Sequence, residues 1–386
     1  MPVNLGAEAQ VALKKLEEAK TKEEQIQAIE ELLAKMSKHK GTEKLERQLK
    51  KRLARLREEV EREKARRAKS APSFNIKKEG GGQVVLVGLT NSGKSLLLNR
   101  LTGADAKVGD YPFTTTFPEV GILDFGGAMI QIVESPPLFD GCAESANGPR
   151  LFSLIRNADV VALVVDLSIA PLPQISTLLK ELEKQKIYLN KQRPNIQIRK
   201  TGEGGIQLIG SSLFKGDTKE LLAFLASRRI VNAVVHIKEP VTIEDIKLAM
   251  DESASFKPAL IIASKGDVPG SARNFKVLRE CYDSRFPIYP VSSLTCKGLD
   301  ELSNALFSSL NIIRVYTKEP GGLMSDKPIV LKKGATVRDV IKRIRPSMLK
   351  NFNYAKVYGP SAKYDGEKVG LDHVLMDGDI IQIHVS

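Results

Sequence analysis

One stretch of this 386-residue chain decides its fold: Gly88-Leu89-Thr90-Asn91-Ser92-Gly93-Lys94-Ser95. It fits the spacing G-x-x-x-x-G-K-[ST], follows a short apolar run at 84–87 and precedes an apolar run at 96–101. A strand, a glycine-rich turn and a helix in that order allow backbone N–H groups and the helix dipole to face an anion. An incidental glycine-rich turn fits this context poorly, so the stretch predicts a phosphate-binding loop.

The chemistry of such a loop assigns roles to two side chains. Lys94 supplies a cation to the β- and γ-phosphate oxygens of a nucleotide, and the Ser95 hydroxyl can ligate Mg²⁺. The residues of this segment that we predict to contact the nucleotide are Gly88, Asn91, Ser92, Gly93, Lys94, Ser95 and Leu96.

A second segment indicates which base is bound. Ser264-Lys265-Gly266-Asp267 follows an apolar run at 259–263 and resembles the guanine motif [NT]-K-x-D. A carboxylate at Asp267 can accept from both donors on the edge of guanine, whereas adenine offers no such pair, and the Lys265 stem can lie along the base. These two residues therefore disfavour an ATP-using enzyme. A third loop, predicted to complete the base site, contains Ser292, Ser293 and Leu294.

Short apolar runs alternate with helix-compatible stretches from residue 84 to residue 312, which predicts a doubly wound α/β sheet. About 75 residues separate the helix predicted at 175–184 from the strand at 259–263, too many for an ordinary loop. We interpret them as a small α/β insertion, with a β-hairpin that pairs 196–198 with 206–208. The last 75 residues or so read as strand–strand–helix–strand–strand, a β-grasp module.

The net charge of +13 is unevenly distributed along the chain. Residues 1–80 carry a net +7 and residues 313–386 a net +5, which leaves +1 for the centre. Basic ends suggest an acidic partner such as RNA. In the N-terminal helical hairpin predicted from apolar periodicity, the basic second helix fits a solvated face and a nucleic-acid contact equally well.

Several classes of protein are disfavoured by the composition. Three cysteines without a CxxC spacing argue against a disulfide scaffold and a zinc finger, and they fit a reducing cytosol. No apolar run is long enough to span a bilayer, and the first ten residues do not resemble a secretory signal. We therefore expect a cytoplasmic protein with no membrane partner, and we do not expect DNA binding.

The phosphate loop, the segment Asp110-Tyr111-Pro112-Phe113-Thr114-Thr115-Thr116 and the guanine motif together resemble the Obg-type GTPases, and most closely their DRG branch, the developmentally regulated GTP-binding proteins. The resemblance covers nearly the whole chain and implies a P-loop GTPase domain with a parallel-type sheet and flanking modules. The implied domains are a basic helical hairpin at 1–72, a linker at 73–82, the GTPase domain at 83–186 and 240–312, an insertion resembling domain 2 of ribosomal protein S5 at 187–239, and a TGS β-grasp domain at 313–386.

The resemblance also implies a function and a set of site residues. The family consists of GTP-binding, Mg²⁺-dependent GTPases linked to the ribosome and translation, often with a stabilising partner protein. Thr115 matches the threonine of the first switch that ligates Mg²⁺, with Thr114 as the competing assignment. Asn91 matches an asparagine that holds K⁺ near the phosphates in related enzymes. The implied metal ligands are Ser95, Thr115 and Glu134, and the implied catalytic residues are Lys94, Thr115 and Asn91.

The chain departs from the family at its second switch, where Glu134-Ser135-Pro136-Pro137 stands in place of Asp-Leu-Pro-Gly. Pro137 removes the N–H that normally binds the γ-phosphate, a loss of about 1.5–3 kcal/mol. Ser264 also replaces an asparagine in the guanine motif. Two functions stay open: a slow GTPase switch on the ribosome or structured RNA, and a nucleotide-binding adaptor for RNA or a translation factor that no longer hydrolyses GTP.

Overall fold

The chain divides into two units, Met1–Ser73 and Phe74–Ser386. The computed structural model describes residues 22–35, 46–54, 56, 74, 76–103, 117–319 and 322–385. The predictions for Thr114 and Thr115 lie outside these residues, and so do residues 1–21, 36–45, 55 and 57–72 of the predicted basic helical hairpin.

The secondary structure elements are numbered in chain order. The strands are β1 Gly82–Gly88, β2 Glu119–Phe125, β3 Ala128–Glu134, β4 Val160–Asp166, β5 Ile187–Leu189, β6 Ile196–Lys200, β7 Ile206–Ile209, β8 Ala233–Ile237, β9 Ser255–Lys257, β10 Ala259–Ser264, β11 Ile288–Pro290, β12 Ile312–Thr317, β13 Ile329–Lys332, β14 Phe352–Tyr358, β15 Glu367–Val369 and β16 Asp379–Val385. The α-helices are α1 Lys22–Lys35, α2 46–54, α3 Lys94–Thr102, α4 Gly148–Asn157, α5 Pro171–Lys184, α6 Thr218–Ser227, α7 Ile243–Met250, α8 Ser271–Tyr282, α9 Leu299–Ser309 and α10 Val337–Ile344. Among the helices that the structure describes, none combines the length and the apolar character that crossing a bilayer requires.

The first unit contains α1 and α2, whose apolar faces meet. Ile29 and Leu32 of α1 are fully buried and form one cluster with Leu49 of α2. The spacing of these residues is the helical periodicity expected of two packed amphipathic helices. On the outer surface, Lys50 forms an i,i+4 ion pair with Glu46 at 2.6 Å, as expected of a solvated helix face.

The second unit is built on a six-stranded sheet in the order β11-β10-β4-β1-β3-β2. All neighbouring strands run parallel except β2, which forms an antiparallel hairpin with β3. Helices α4, α5 and α8 pack on one face of the sheet, and α3 and α9 pack on the other. The strands β4 and β10 are buried along their whole length, as expected for a sheet covered on both sides. This arrangement confirms the predicted doubly wound α/β fold.

The insertion forms a separate three-stranded sheet in the order β6-β8-β7. The predicted hairpin of β6 with β7 is wrong, because β8 lies between them, antiparallel to β6 and parallel to β7. The reason is burial: β8 places Ala233, Val235 and Ile237 in the core, whereas β6 and β7 have no fully buried residue and form the two edges. Ile246 of α7 packs in the same core, so this helix joins the insertion although it lies beyond the predicted boundary at residue 239.

The C-terminal module is a five-stranded sheet in the order β13-β12-β16-β14-β15, with α10 packed against one face. Its first and last strands, β12 and β16, lie side by side and run parallel. Thr336 and Asp339 form a capping box that begins α10, and the helix ends before Pro346. This is the β-grasp arrangement predicted from the sequence.

The β-grasp module contacts the central domain at the turn between β2 and β3. The Arg314 guanidinium lies 5.2 Å from the ring centre of Phe125 and 5.0 Å from that of Phe307. Asp377 holds the same guanidinium with two hydrogen bonds, at 3.1 and 2.8 Å. The Tyr316 hydroxyl donates to the carbonyl of Gly126 at 3.3 Å. Phe125 and Gly126 lie in the hairpin that ends at Glu134, so one hairpin joins this interface to the phosphate loop.

Candidate functional site

The phosphate loop connects β1 to α3 and positions a buried cation. Gly93 precedes the helix with φ +88°, a left-handed conformation that favours glycine. The Lys94 side chain folds back into the loop, where its ammonium donates to the carbonyl of Leu89 at 2.8 Å and to that of Gly88 at 3.2 Å. Burial lowers the pKa of Lys94 from 10.5 to about 8, and the Glu134 carboxylate acts in the opposite direction.

A hydroxyl and a carboxylate adjoin this lysine. The Ser95 hydroxyl donates a 2.7 Å hydrogen bond to Oε1 of Glu134, the last residue of β3, whose side chain is 2% exposed. Hydroxyl and carboxylate oxygens are the hard ligands that Mg²⁺ prefers, so these two residues fit the ion. The described residues contain no group of three or more His, Cys, Asp or Glu side chains able to hold a metal. Ser95 and Glu134 supply two ligands, so a divalent ion here would need others from the phosphates, from water or from residues outside the described part of the chain.

The segment after Glu134 offers few amide donors. The Ser135 amide donates to the carbonyl of Leu86 at 3.0 Å, and the Leu138 amide donates to that of Gly88 at 3.1 Å. Pro136 and Pro137 have no N–H. The four residues from 135 to 138 are all buried, and none of them has a backbone N–H left for a γ-phosphate in this conformation.

The guanine-type loop is joined directly to the phosphate loop. Ser264 ends β10, and its hydroxyl lies 2.7 Å from the carbonyl oxygen of Ser92 and 3.1 Å from that of Val165. The shorter contact ties the two loops together, which is the link that an asparagine would make at this position. Lys265 adopts φ +58°, and its ammonium lies 2.6 Å from Oδ2 of Asp166.

The third loop follows β11 at the same edge of the sheet. The Gly266 amide donates to the carbonyl of Val291 at 3.0 Å, which holds the second and third loops side by side. The carbonyl of Ser293 accepts from Nε of Arg100 at 3.1 Å, and the Ser292 hydroxyl accepts from the Thr295 amide at 3.1 Å. Leu294 is 68% exposed, so its side chain is available to a ligand.

The predicted site residues that the structure describes therefore lie at the carboxyl ends of β1, β3, β10 and β11, either at the strand ends, on the loops that follow or in the first turn of α3. This is where open α/β sheets bind ligands. Asp267 and Asn91 are exposed on these loops, and Lys94 and Glu134 are buried beneath them. The roles assigned to these residues stay predictions, and the assignment of Thr115 lies outside the described residues.

Sequence reasoning missed two residues of this site. Asp166 stands at the end of the buried strand β4, is 6% exposed and also accepts from the amide and the hydroxyl of Ser168. A charged residue directly after six apolar residues was the available signal, since carboxylates are rarely buried without a partner. Arg100 gave no signal, because it is one of many basic residues on helix surfaces.

Comparison with known protein families divides the chain into three matching regions. Residues 83–199 match the 50S ribosome-binding GTPase family, and residues 203–312 match the C-terminal region of that domain. Residues 313–385 match the TGS domain.

Three relatives align over nearly their full lengths. A GTP-binding protein of Methanocaldococcus jannaschii is 34% identical over 94% of this chain and 93% of the relative. Developmentally-regulated G-protein 3 of Arabidopsis thaliana is 33% identical over 93% of this chain and 98% of its own. Ribosome-interacting GTPase 1 of Saccharomyces cerevisiae is 32% identical over the same shares.

Proposed function

This chain belongs to the family of developmentally regulated GTP-binding proteins, and from that premise we propose that it is a slow, Mg²⁺-dependent GTPase that acts as a ribosome-associated switch. Family membership itself makes this chain a GTP-binding protein with a GTPase domain and a TGS domain. The proposal adds slow turnover, dependence on Mg²⁺ and a ribosomal partner.

The observation that carries the proposal is the link between the guanine-type loop and the phosphate loop. The Ser264 hydroxyl bonded to the Ser92 carbonyl holds Lys265 and Asp267 at the same end of the sheet as the buried ammonium of Lys94. A carboxylate at Asp267 accepts from the two donors of a guanine edge. A cation beneath the phosphate loop attracts the triphosphate at the other end of the same nucleotide.

The residues around Lys94 would divide the work of phosphoryl transfer. Ser95 and Glu134 would hold Mg²⁺, which neutralises charge that builds up on the phosphates when it is bound. Lys94 would contribute its own charge from below the loop. Asn91, exposed and at φ 59°, would help to hold K⁺ beside the phosphates. Thr115 would complete the metal ligands from the first switch.

The same site argues for slow turnover and weak discrimination between GTP and GDP. Between residues 135 and 138 every amide is either absent or bonded to β1 or its loop. A charge-assisted hydrogen bond to the γ-phosphate is worth about 1.5–3 kcal/mol, so its loss lowers the preference for GTP about 10- to 150-fold. The lack of a free amide between residues 135 and 138 also favours a second function, that of an adaptor that binds the nucleotide without hydrolysing it.

The proposed partner is the ribosome or another structured RNA. The yeast relative is named a ribosome-interacting GTPase, and the two flanks of this chain carry nearly all of its excess positive charge. A cytoplasmic location and a stabilising partner protein belong to the same proposal. Binding through phosphates predicts that ribosome association weakens steeply between about 50 and 200 mM salt.

Steady-state phosphate release tests the enzymatic part. Wild type, Pro137→Gly and Lys94→Ala are compared with GTP and with ATP, in K⁺ and in Na⁺. We expect slow release from GTP in wild type, faster release in K⁺ than in Na⁺, none from ATP, and none from GTP in Lys94→Ala. Release only after Pro137→Gly would favour the adaptor instead.

A further inference from the structure

The β-grasp sheet has one face that does not contact its helix. Along β14, Ala355 and Val357 point into the core beneath α10, whereas Tyr354, Lys356 and Tyr358 alternate with them and point to the other side. His384 of β16 pairs with Tyr354 in the antiparallel register. We call the surface formed by Tyr354, Lys356, Tyr358, Lys368 and His384 the open face.

Three side chains of the open face are stacked in a row. The rings of Tyr354 and His384 lie 4.4 Å apart between centroids, with their planes 18° from parallel. The ammonium of Lys368 lies 4.7 Å from the centre of the Tyr354 ring. Strands β15 and β16 flank β14 on opposite sides, so Lys368 and His384 approach Tyr354 from opposite sides. The Lys368 side chain is exposed, so it can move away from the ring without breaking the core.

A second cation–aromatic pair lies farther along the same strand. Lys318 places its ammonium 5.6 Å from the ring centre of Tyr358. Tyr358 is four residues from Tyr354, about 13 Å along an extended strand. Lys356 lies between the two tyrosines on the same side. Two aromatic positions are thus separated by a lysine along a single strand.

The charge of the open face has one sign. Strands β14, β15 and β16 contain two carboxylates, Glu367 and Asp379. Glu367 pairs with Val357 and is on the core side of β15, and Asp379 is fully buried with its oxygens bonded to the amides of Ser361 and Met376. Neither carboxylate neutralises the lysines of the open face.

We propose that the open face binds a single-stranded segment of RNA. A base stacks on Tyr354 in the place of the Lys368 ammonium, which then pairs with a phosphate, and a second base reaches Tyr358. Aromatic rings and lysines in alternation suit unpaired nucleotides, because every base has a π-face and every nucleotide a phosphate. An acidic protein segment would satisfy the lysines and leave the stacked rings unused. This inference rests on the proposed RNA partner and assigns the contact to the sheet side of the β-grasp module.

The test uses the full chain and fluorescence anisotropy with two labelled probes, an oligouridylate of about ten nucleotides and an abasic oligonucleotide of the same length. Tyr354→Ala should weaken oligouridylate binding about fivefold or more and leave abasic binding unchanged. Lys356→Gln with Lys368→Gln should weaken the binding of both probes. Arg343→Gln with Arg345→Gln removes the same charge from the helix side and should have the smaller effect.

Equal losses in both double variants, or wild-type binding that does not distinguish the two probes, would overturn the assignment. Tighter binding of a polyglutamate peptide than of oligouridylate would overturn it in favour of a protein partner. If Tyr354→Ala does not fold, the proposal is still tested by the double variant of Lys356 and Lys368 and by the binding of wild type to the two probes. GDP binding is measured on each preparation. If the proposed GTPase function is wrong, GDP does not bind, whereas if the RNA proposal is wrong, the two RNA probes give the contrary results described above.

Discussion

The Ser264 hydroxyl lies 2.7 Å from the carbonyl oxygen of Ser92 and joins the guanine-type loop to the phosphate loop. Both residues are buried, at 2% and 1% exposure, so the hydrogen bond is shielded from water. The guanine motif that this loop resembles can have asparagine in place of Ser264, and the shorter serine side chain still makes the link between the loops. It cannot also reach toward a base as an amide would, because its single hydrogen is already used.

Ser264→Ala should therefore weaken GDP binding. The substitution removes the bond that holds the two loops together in the nucleotide-free chain. A nucleotide that must bring the loops back together binds more weakly, by up to about 1–3 kcal/mol or about 5- to 150-fold. Equilibrium titration with a fluorescent GDP analogue measures the effect. Ser303→Ala removes a hydroxyl that bonds within α9 and serves as the matched control. An unchanged dissociation constant in Ser264→Ala would show that the two loops do not need this bond.

Pro137→Gly should raise the preference for GTP over GDP. The substitution restores a backbone N–H two residues beyond Ser135 and releases the fixed φ of proline. We expect wild type to prefer a GTP analogue to GDP by less than about a hundredfold, and Pro137→Gly to increase the preference about 10- to 150-fold. Competition binding with both nucleotides gives the ratio directly.

The control for this change is Pro136→Ala, which loosens the adjacent position, where the pattern Asp-Leu-Pro-Gly also has proline. A wild-type preference for GTP well above a hundredfold would contradict the hypothesis, because it would require another γ-phosphate donor. An equal gain in Pro136→Ala would assign the effect to backbone flexibility instead of the restored amide.

The motif-bearing parts of the site were predictable from sequence because their chemistry is local. The phosphate loop needs its glycines and lysine at fixed spacing, and the runs around it are apolar because parallel strands are buried on both faces. The pairing of Lys265 with Asp166 was not predictable, since the two residues are 99 positions apart and meet only through the order of the strands.

The insertion shows a different limit. Two amphipathic runs around a glycine-rich turn favour a hairpin on local grounds. The more apolar strand β8 comes later in the chain and lies between β6 and β7, because burying its apolar side chains in the centre of the sheet is more favourable. Likewise, nothing in the sequence around Arg314 indicates that it contacts Phe125 and Phe307, two residues of another domain.

Arg314→Lys should loosen the contact between the β-grasp module and the central domain. Lysine keeps the charge, but it lacks the planar fork that bonds Asp377 twice and the flat face that lies over the two rings. We expect amide hydrogen exchange in peptides covering 124–130 and 312–317 to become about tenfold faster, a change of about 1.4 kcal/mol. Arg338→Ala is the control, since its ion pair with Asp372 is exposed and worth little. Unchanged exchange in Arg314→Lys would mean that apolar packing alone holds the module.

Nucleotide affinity should fall as the pH rises above about 8. Burial lowers the pKa of Lys94 to about 8 in the nucleotide-free chain, so the ammonium is fully charged below that pH and loses its proton above it. Phosphates bind the charged form, which means that binding above pH 8 takes up a proton. Fluorescent GDP titrations between about pH 7 and 9.5 should show a plateau and then a decline of up to about tenfold per pH unit.

Lys94→Arg separates this effect from a general loss of structure at high pH. An arginine stays charged throughout the range, so any binding it retains should be independent of pH, even if its size lowers the affinity. The stability of the nucleotide-free chain depends on pH in the opposite direction from nucleotide affinity. Between pH 8 and 10.5 the unfolded chain, in which Lys94 has its ordinary pKa of 10.5, binds more protons than the folded chain. The contribution of Lys94 to the free energy of unfolding therefore rises with pH in this range. A decline in affinity that Lys94→Arg shares would place the titration elsewhere in the site.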